Sequence, residues 1–386
     1  MWMIVFFLLP FAALAYIGWH VWCLLPLCGL WKSVVIVLMV ASFLLMFAGF
    51  WRLTDRLPMP LATAVYEVGT SSVFILLYLF MLFLVLDLGR LVHLVPRSLL
   101  YSNWYTVGAI AVVMTALFLY GNWHYHDKYR EELTLHTDKP LQRPLKVVLM
   151  SDLHLGYHNQ RPELARWVDI VNGEHPDVIL IAGDIIDGSI RPLLEQHMAA
   201  EFHRLQAPVY ACLGNHEYYS GEPGARQFYA DAGIHLLRDS VAQVGDLLVI
   251  GRDDRTNPHR KPLAKILQQS KLPSLGGAGG GSASLPSLGG AGGGPSILLD
   301  HQPYHLEQAE RQGIDFQFSG HTHHGQVWPI SWITDAIYEC SFGSHQRGAT
   351  RYYVSSGMGI WGGKFRIGTR SEYVVLHIVN HQDNNK

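Results

Sequence analysis

Hydrophobic and polar positions divide this chain into two unlike parts. Residues 1–123 are dominated by long apolar runs, whereas most acids and bases lie in the remainder. A helix needs about 20 apolar residues to cross a bilayer, and tryptophans suit its ends. The pattern therefore predicts an all-α transmembrane domain of about four helices over this first part. The four apolar runs cover residues 2–25, 33–50, 71–86 and 105–120.

A cleaved signal peptide is an alternative explanation for the first run. That run lacks a basic leading region and is long for such a peptide, so we favour a membrane span. At the end of the third run, Asp87 and Arg90 stand three apart on one helical face. We expect them to form a structural ion pair.

Lysine and arginine near the ends of the spans predict the orientation, because cytoplasmic loops are enriched in these residues. With four spans, the richer side is predicted to be the cytoplasmic face of a bacterial inner membrane, with both termini and the polar second part of the chain on it. One miscounted span would reverse this prediction. The richer side carries Arg52, Arg56, Lys128, Arg130, Lys139, Arg143 and Lys146, and the other side carries Lys32, Arg90 and Arg97.

Beyond residue 145, short apolar runs alternate with segments of helical spacing. This alternation predicts an α/β domain over residues 146–380, and residues 124–145 are predicted to be a polar linker. Polar residues gather where the apolar runs end, which indicates a site at the carboxyl edge of the strands. The predicted strands cover residues 146–150, 178–182, 209–213, 247–250, 297–299, 316–319, 352–355 and 373–378, and the predicted helices 162–171, 192–205, 225–232, 261–269 and 304–311.

A glycine-rich segment interrupts this pattern. The ten residues 272–281 recur as residues 285–294. Two glycine-rich copies are too few for a solenoid, so residues 272–295 are predicted to be a flexible insert.

Composition narrows the class of protein. The charged fraction is 16 %, compared with about 25 % in a typical soluble domain. The net charge of −2 offers no basic field for nucleic acid. Four cysteines without a CxxC spacing indicate neither a zinc ribbon nor a disulfide framework.

Five strand ends carry polar segments whose side chains suit divalent cations. Carboxylate, imidazole and amide donors bind such cations, and one carboxylate can bridge two of them. Two cations about 3.5–4 Å apart can activate a bridging hydroxide for phosphoryl transfer. Each segment alone is a weak signal, and the prediction depends on all five in order. The candidate ligands are Asp152, His154, Asp184, Asn215, His301, His321 and His323.

Two further residues are candidates for catalysis. His216 follows the candidate ligand Asn215 and could stabilise the transition state or protonate the leaving oxygen. Asp187, three residues after Asp184, is a candidate acceptor that orients a histidine.

The order Asp-x-His, Gly-Asp-x-x-Asp, Gly-Asn-His-Glu, His and Gly-His-x-His resembles the calcineurin-like metallophosphoesterase superfamily. The resemblance covers roughly residues 146–378. Residues 320–327 and 356–362 resemble its membrane-associated branch, which includes the YkuE and YaeI phosphodiesterases. That branch usually has glycine after the second histidine, where this chain has His324. We interpret His324 as a spare exposed histidine in preference to one that borders the site.

The resemblance implies a fold of two mixed β-sheets sandwiched by helices. It implies that Mn is the expected metal, with Fe, Zn and Mg as alternatives, and that the reaction is hydrolysis of a phosphodiester or pyrophosphate. One cation would be held by Asp152, His154, Asp184 and His323, and the other by Asp184, Asn215, His301 and His321.

The membrane domain bears on the substrate. A site tethered at a bilayer favours a lipid-linked or nucleotide-linked phosphoester, and the oligomeric state is left open. Trp328, Ile330, Trp332 and Ile333 could form an apolar lip for acyl chains, but we expect them to belong to the core. The alternative function is a transporter or sensor whose second half is a regulatory nucleotide-binding module. The scarcity of charge in the spans argues against it.

Overall fold

The computed structural model describes residues 2–50, 52–269 and 293–381. The chain forms two compact units. The helical unit comprises residues 1–124 and 362–367, and the second unit comprises residues 125–361 and 368–386. The predicted glycine-rich insert lies outside the described residues, apart from its last three positions.

Four helices build the helical unit, as the hydropathy pattern predicted. They are α1 (Trp2–Leu24), α2 (Gly29–Phe50), α3 (Met59–Leu91) and α4 (Trp104–His126). Within the described residues, three segments are long and apolar enough to cross a membrane, and α1 contributes the shorter apolar stretch Leu9–Leu24. The three segments are Gly29–Gly49, Met59–Leu91 and Trp104–His126.

Asp87 makes its shortest described contacts with helix α1, not with Arg90. Its carboxylate accepts a hydrogen bond of 2.8 Å from the Tyr16 hydroxyl and lies 3.0 Å from Nε2 of the buried His20. The nearest Arg90 nitrogen lies 3.9 Å away. The acid therefore connects α3 to α1, the kind of polar contact that joins membrane helices.

The prediction of a polar linker over residues 124–145 is wrong. Strand β1 (Lys128–Thr137) begins after only one residue beyond α4 and pairs in parallel, along its whole length, with β12 (Ser371–Asn380). β1 is an edge strand with mostly half-buried or exposed side chains, so it lacks the apolar run of a central strand. Its hydrogen-bond partner lies near the other end of the chain, and no local pattern reveals such pairing.

The described residues of the second unit form two six-stranded mixed sheets. In spatial order, the first sheet is β1, β12, β2 (Leu145–Met150), β3 (Val178–Ala182), β4 (Val209–Cys212) and β5 (His235–Leu236). The second sheet is β10 (Gly343–Arg347), β11 (Thr350–Val354), β9 (Phe316–Ser319), β8 (Ser296–Leu299), β7 (Leu247–Gly251) and β6 (Ser240–Val244).

The two sheets pack face to face, and helices cover their outer faces. The core between them includes Leu149 and Leu180 from the first sheet and Leu299 and Phe318 from the second. Strands buried on both faces read as continuous apolar runs, which is why the sequence revealed them. The prediction of two mixed sheets sandwiched by helices is confirmed. The helices are α5 (Arg161–Gly173), α6 (Arg191–Glu195), α7 (Ala199–Phe202), α8 (Asn215–Ser220), α9 (Glu222–Asp231), α10 (Leu263–Gln269), α11 (Glu307–Arg311) and α12 (Ile330–Ile337).

Parallel pairing places the polar segments together. β2, β3 and β4 are parallel neighbours in the first sheet, and β7, β8 and β9 are parallel neighbours in the second. The carboxyl ends of parallel neighbours meet at one edge of a sheet. Each sheet therefore presents a row of strand ends at which polar side chains can converge.

Candidate metal centre

All seven predicted ligands lie at these strand ends, and the structure brings them together. Asp152 and His154 follow β2, Asp184 follows β3, and Asn215 opens α8 after β4. The second sheet contributes His301 after β8 and His321 and His323 after β9. The donor atoms form three sets, and within each set they all lie within 4.8 Å of one another. The sets are Asp152, His154 and His323; His154, Asp184 and His216; and Asp184, His301 and His321.

Two imidazoles and a carboxylate converge in the first set. Nε2 of His154 lies 3.1 Å from Nε2 of His323. An Asp152 oxygen lies 3.8 Å from the first of these nitrogens and 3.5 Å from the second. Two basic nitrogens facing each other beside a buried acid form an arrangement that suits a shared cation.

Asp184 is shared by the other two sets. Its Oδ2 lies 3.1 Å from His301 Nε2 and 3.6 Å from His154 Nε2. The Asn215 amide oxygen lies 2.8 Å from His321 Nδ1 and 3.2 Å from His301 Nε2. One carboxylate thus stands between two groups of donors, which is the position that a bridging ligand requires.

The backbone is strained at five of these seven residues. Left-handed φ values are uncommon for residues other than glycine, cost free energy, and gather at functional sites. All five residues have side chains that would be displaced if the backbone relaxed to an ordinary strand or helix. The values are 54° at Asp152, 43° at His154, 52° at Asp184, 74° at His321 and 49° at His323.

Two glycines leave room for the central carboxylates. A Cβ at Gly320 would lie 2.2 Å from an Asp152 oxygen, and a Cβ at Gly214 would lie 2.1 Å from an Asp184 oxygen. Both distances are far below a permissible contact, so any side chain there would displace the acid. The glycine before His321 is therefore needed for close approach to Asp152.

Glu217 is a site residue to which the sequence analysis assigned no role. It is fully buried, and its carboxylate accepts hydrogen bonds from the backbone N–H groups of Gly214 (2.7 Å), Asp184 (3.0 Å) and Ile186 (2.9 Å). Burial, and then the charge of Asp184, raises the pKa of Glu217. An acid in the first turn of a helix that bonds back to the backbone before it is a capping pattern, and that signal could have identified it.

Asp187 lies beside two imidazoles. One of its oxygens is 3.2 Å from His154 Nδ1 and 3.1 Å from His216 Nδ1. Burial by itself would raise the pKa of Asp187, but the contacts with these two histidines hold it well below its usual range. This geometry suits the predicted role as an acceptor that orients imidazoles.

In the described part of the chain, the ion-pair partners of Asp152, Asp184 and Asp187 are histidines. Burial by itself would lower the pKa of His154, but hydrogen bonds to Asp152 and Asp187 raise it to about 10. Burial, followed by the charge of His301, lowers the pKa of His321 to about 4. Without a cation, some imidazoles must therefore hold protons to offset the carboxylates. A divalent cation supplies the same charge and suits this donor set of carboxylate, imidazole and amide.

Two expectations for neighbouring residues are corrected. His324 is half-buried rather than exposed, because it stacks on Phe342 at a centroid distance of 4.6 Å. Trp328, Trp332 and Ile333 do not belong to the core, because they are 39 %, 64 % and 57 % exposed.

The fold and the donor set together suit a metal-binding domain. Residues 145–325 match the family described as calcineurin-like phosphoesterase. This match locates a calcineurin-like phosphoesterase domain over residues 145–325, in agreement with the resemblance seen in the sequence.

Several relatives have related names. An uncharacterized metallophosphoesterase of Helicobacter pylori J99 is 29 % identical, and the match covers 64 % of this chain and 63 % of that protein. A transmembrane protein with metallophosphoesterase domain from Danio rerio is 31 % identical over 59 % of this chain and 52 % of its own length. The YkuE metallophosphoesterase of Bacillus subtilis is 27 % identical, and the match covers 66 % of this chain and 87 % of that protein. The chain thus spans less than two thirds of the length of the Helicobacter relative.

Solved structures with a distant likeness include two enzymes. A 5′-nucleotidase precursor from Thermus thermophilus has 15 % identity and a TM-score of 0.37, over 61 % of this chain and 54 % of that chain. A dimetal phosphatase from Danio rerio has 13 % identity and a TM-score of 0.32, and the match covers 57 % of this chain and 88 % of that chain.

Proposed function

We propose that this protein is a membrane-anchored phosphoesterase that holds two divalent cations and hydrolyses phosphodiester or pyrophosphate bonds. The observation that carries the proposal is that donors from strand ends of two sheets form overlapping sets, two of which share the carboxylate of Asp184. The family match supports phosphoester hydrolysis as the reaction class.

Two overlapping sets of ligands would hold the cations. When bound, such cations polarise phosphoryl oxygens and lower the pKa of water. Mn is the metal that we propose, with Fe, Zn and Mg as alternatives. Asp152, His154, Asp184 and His323 would hold one cation, and Asp184, Asn215, His301 and His321 the other.

His216 is the proposed proton donor to the leaving oxygen. Its backbone N–H donates a hydrogen bond of 2.9 Å to Asp184, which holds the residue against the site, and its side chain is 20 % exposed. Because Nδ1 lies against Asp187, Nε2 is the ring atom that can give or take a proton. Asp187 would keep this tautomer and this ring orientation.

The membrane domain supports a substrate with a lipid end, with a nucleotide-linked phosphoester as the alternative. Strand β1 begins one residue after α4, so only one residue separates the last membrane-capable helix from the first strand of the second unit.

We also propose a cytoplasmic location at a bacterial inner membrane. Labelling of an introduced surface cysteine from one side of sealed vesicles tests it.

Metal dependence tests the proposed reaction. Purified protein stripped with a chelator should lose activity on bis(p-nitrophenyl) phosphate and regain it with Mn²⁺. Parallel samples with Zn²⁺, Mg²⁺ and Fe²⁺ rank the metals. Full activity in protein shown to be metal-free would overturn the proposal. Lipid and nucleotide profiling of a deletion strain then identifies the substrate class, because the phosphorylated substrate should accumulate.

One observation favours the transporter or sensor alternative. The described residues of the helical unit hold a partly buried ionisable contact between His20 and Asp87, and such residues in membrane helices often mark transport pathways. Asp87→Asn should leave hydrolysis of a soluble phosphodiester unchanged if the helices serve as an anchor. Coupled loss of hydrolysis would favour the alternative.

A further inference from the structure

Helix α12 exposes its large apolar side chains, unlike a surface helix of an ordinary soluble domain. Such a helix normally buries its apolar stripe and exposes its polar residues. In α12 the serine Ser331 is buried, with 6 % exposure. Trp332, Ile333 and Ile337 are 64 %, 57 % and 59 % exposed. The apolar face of this helix therefore has no cover within the described protein.

Trp328 extends this surface beyond the helix. Its ring meets the Trp332 ring edge to face at a centroid distance of 5.2 Å, and it is 39 % exposed. Trp328, Trp332, Ile333 and Ile337 thus form one apolar surface, which we call the α12 surface. A contiguous exposed patch of large apolar side chains is uncommon on a soluble domain and marks an interaction site.

Polar contacts attach α12 to the rest of the domain. The Ser341 hydroxyl donates a hydrogen bond to the Asp335 carboxylate, and His324 Nε2 lies 3.6 Å from the same carboxylate. These contacts hold the helix with its tryptophan and isoleucine side chains outward. The exposure is therefore part of the packed structure and not the result of a loosely attached helix.

The α12 surface lies close to the metal centre. It begins five residues after the proposed ligand His323. At its other end, the Tyr338 ring, which follows the last residue of α12, lies 6.3 Å from the ring of the proposed ligand His321. A partner bound to this surface would thus lie beside the substrate site.

We propose that the α12 surface inserts into the interface of the lipid bilayer. The chain itself carries helices that can cross a membrane, and the phosphoesterase domain starts one residue after the last of them. Tryptophan and isoleucine on one face of a short helix suit the boundary between headgroups and acyl chains. The surface would thereby open the metal centre toward substrates that lie in the membrane, an extension that rests on the proposed function.

A spin label tests the insertion directly. Cys23 and Cys28 are first replaced by serine, because they are accessible to labelling, whereas Cys212 and Cys340 are buried. A label is then placed at position 333 in the full-length protein in liposomes of phosphatidylcholine and phosphatidylglycerol. Oxygen should relax it more than a water-soluble nickel chelate does.

The matched control is a label at position 194. Leu194 is 53 % exposed, close to the 57 % of Ile333, but it lies on helix α6, outside the α12 surface. Here the nickel chelate should be the stronger relaxant. The same order of accessibility at both positions would overturn the proposal. Dipolar broadening at position 333 that disappears on dilution with unlabelled protein would overturn it as well, since a second copy would then be the partner.

A kinetic comparison separates this proposal from the proposed function. The double variant Trp332→Ser with Ile333→Ser should keep activity on bis(p-nitrophenyl) phosphate within about twofold. On phosphatidyl-p-nitrophenol in vesicles its activity should fall by about tenfold, because two large interfacial contacts are lost. Equal activities of variant and native protein on the vesicle substrate would overturn the proposal. Inactivity of the native protein on both substrates would overturn the proposed function, while the spin-label result would still stand.

Discussion

Two clusters of buried acids lie at strand ends of the phosphoesterase domain, and their counter-ions differ. In the metal centre, Asp152, Asp184 and Asp187 lie against imidazoles. In the second group, which we call the arginine cluster, Asp253 and Asp300 lie against guanidinium groups. Arg238 is 2.7 Å from Asp253, Arg252 is 2.9 Å from Asp300, and Arg260 is 3.1 Å from Asp300.

The difference decides which cluster needs a cation. A guanidinium group keeps its charge at every ordinary pH and has no lone pair to offer, so it balances a buried acid permanently. An imidazole can lose its proton and then offers a lone pair to a metal. The arginine cluster is therefore complete as a structural ion-pair network, whereas we expect the proposed metal centre to reach the same balance by binding cations.

The largest expected effect is that of Asp184→Asn. Replacement of the shared carboxylate by an amide should lower kcat by at least about a thousandfold, because both cations lose a charged ligand. Kinetics on bis(p-nitrophenyl) phosphate, with metal content from elemental analysis, measure this. Near-normal activity with a normal metal content would remove the bridging role.

His216→Gln should lower kcat by about 10²- to 10⁴-fold, because the proton donor is lost while the ligands remain. The limb of the pH–rate profile that belongs to the acid should disappear, and the metal content should not change. Loss of metal from this variant would instead assign His216 to the ligand set.

Asp300→Asn should affect stability more than catalysis. It leaves Arg252 buried beside a neutral amide, and removal of one partner of a buried pair costs about 3–5 kcal/mol. Denaturant titration of the purified variant measures the free energy of unfolding. Metal content and kcat of the folded fraction should match those of the native protein. A fall in metal content comparable to that of Asp184→Asn would break the distinction between the two clusters.

Metal removal should make stability depend on pH in a particular direction. The pKa of His154 is raised from 6.5 to about 10 in the folded metal-free protein. Its protonation therefore contributes stability below pH 6.5, and this contribution is lost as the pH rises toward 10. A divalent cation displaces such protons, so binding strengthens with pH. The rise in unfolding temperature on adding Mn²⁺ should be larger at pH 8.5 than at pH 6.5, and an equal rise would contradict this interpretation.

The smallest expected effect is that of a substitution at Glu174. This partly buried acid also pairs with an arginine, but it lies outside the arginine cluster. Burial alone would raise the pKa of Glu174, but Arg130, Lys146 and Tyr373 lower it to about 2. Glu174→Gln should lower the free energy of unfolding by about 1 kcal/mol at pH 7, a modest value because solvent screens the pair.

This loss has a defined pH range. Since the folded pKa is depressed, the stabilising contribution is present above pH 4.5 and disappears as the pH falls toward 2. Chemical denaturation at pH 7 and pH 3.5 should therefore show a smaller difference at the lower pH. Glu195→Gln, which removes an exposed pair with Arg191, is the control and should have less effect at both values.

The sequence determined the class of this protein and the candidate ligands. Each ligand directly follows a strand that is buried on both faces, or lies within a few residues of one, and such strands are visible as apolar runs in the chain. Because parallel strands end at a common edge, the pattern predicted polar side chains at that edge, and the resemblance carried by the motifs implied that Asp184 and His301 lie together. The helical unit was visible for a similar reason, since membrane-spanning segments must be apolar over their whole length.

The tertiary structure alone decided what depends on partners distant in sequence. β1 carries charged side chains and becomes a strand only because β12 pairs with it. The acids Asp184 and Asp300 occupy equivalent places after buried strands, and only packing shows that one meets imidazoles and the other guanidinium groups. Burial is likewise a property of the assembled fold, so the outward face of α12 could not be read from its apolar composition. The local pattern of apolar and polar residues specifies most of the helices and strands. Contacts between residues distant in sequence determine which groups surround each side chain.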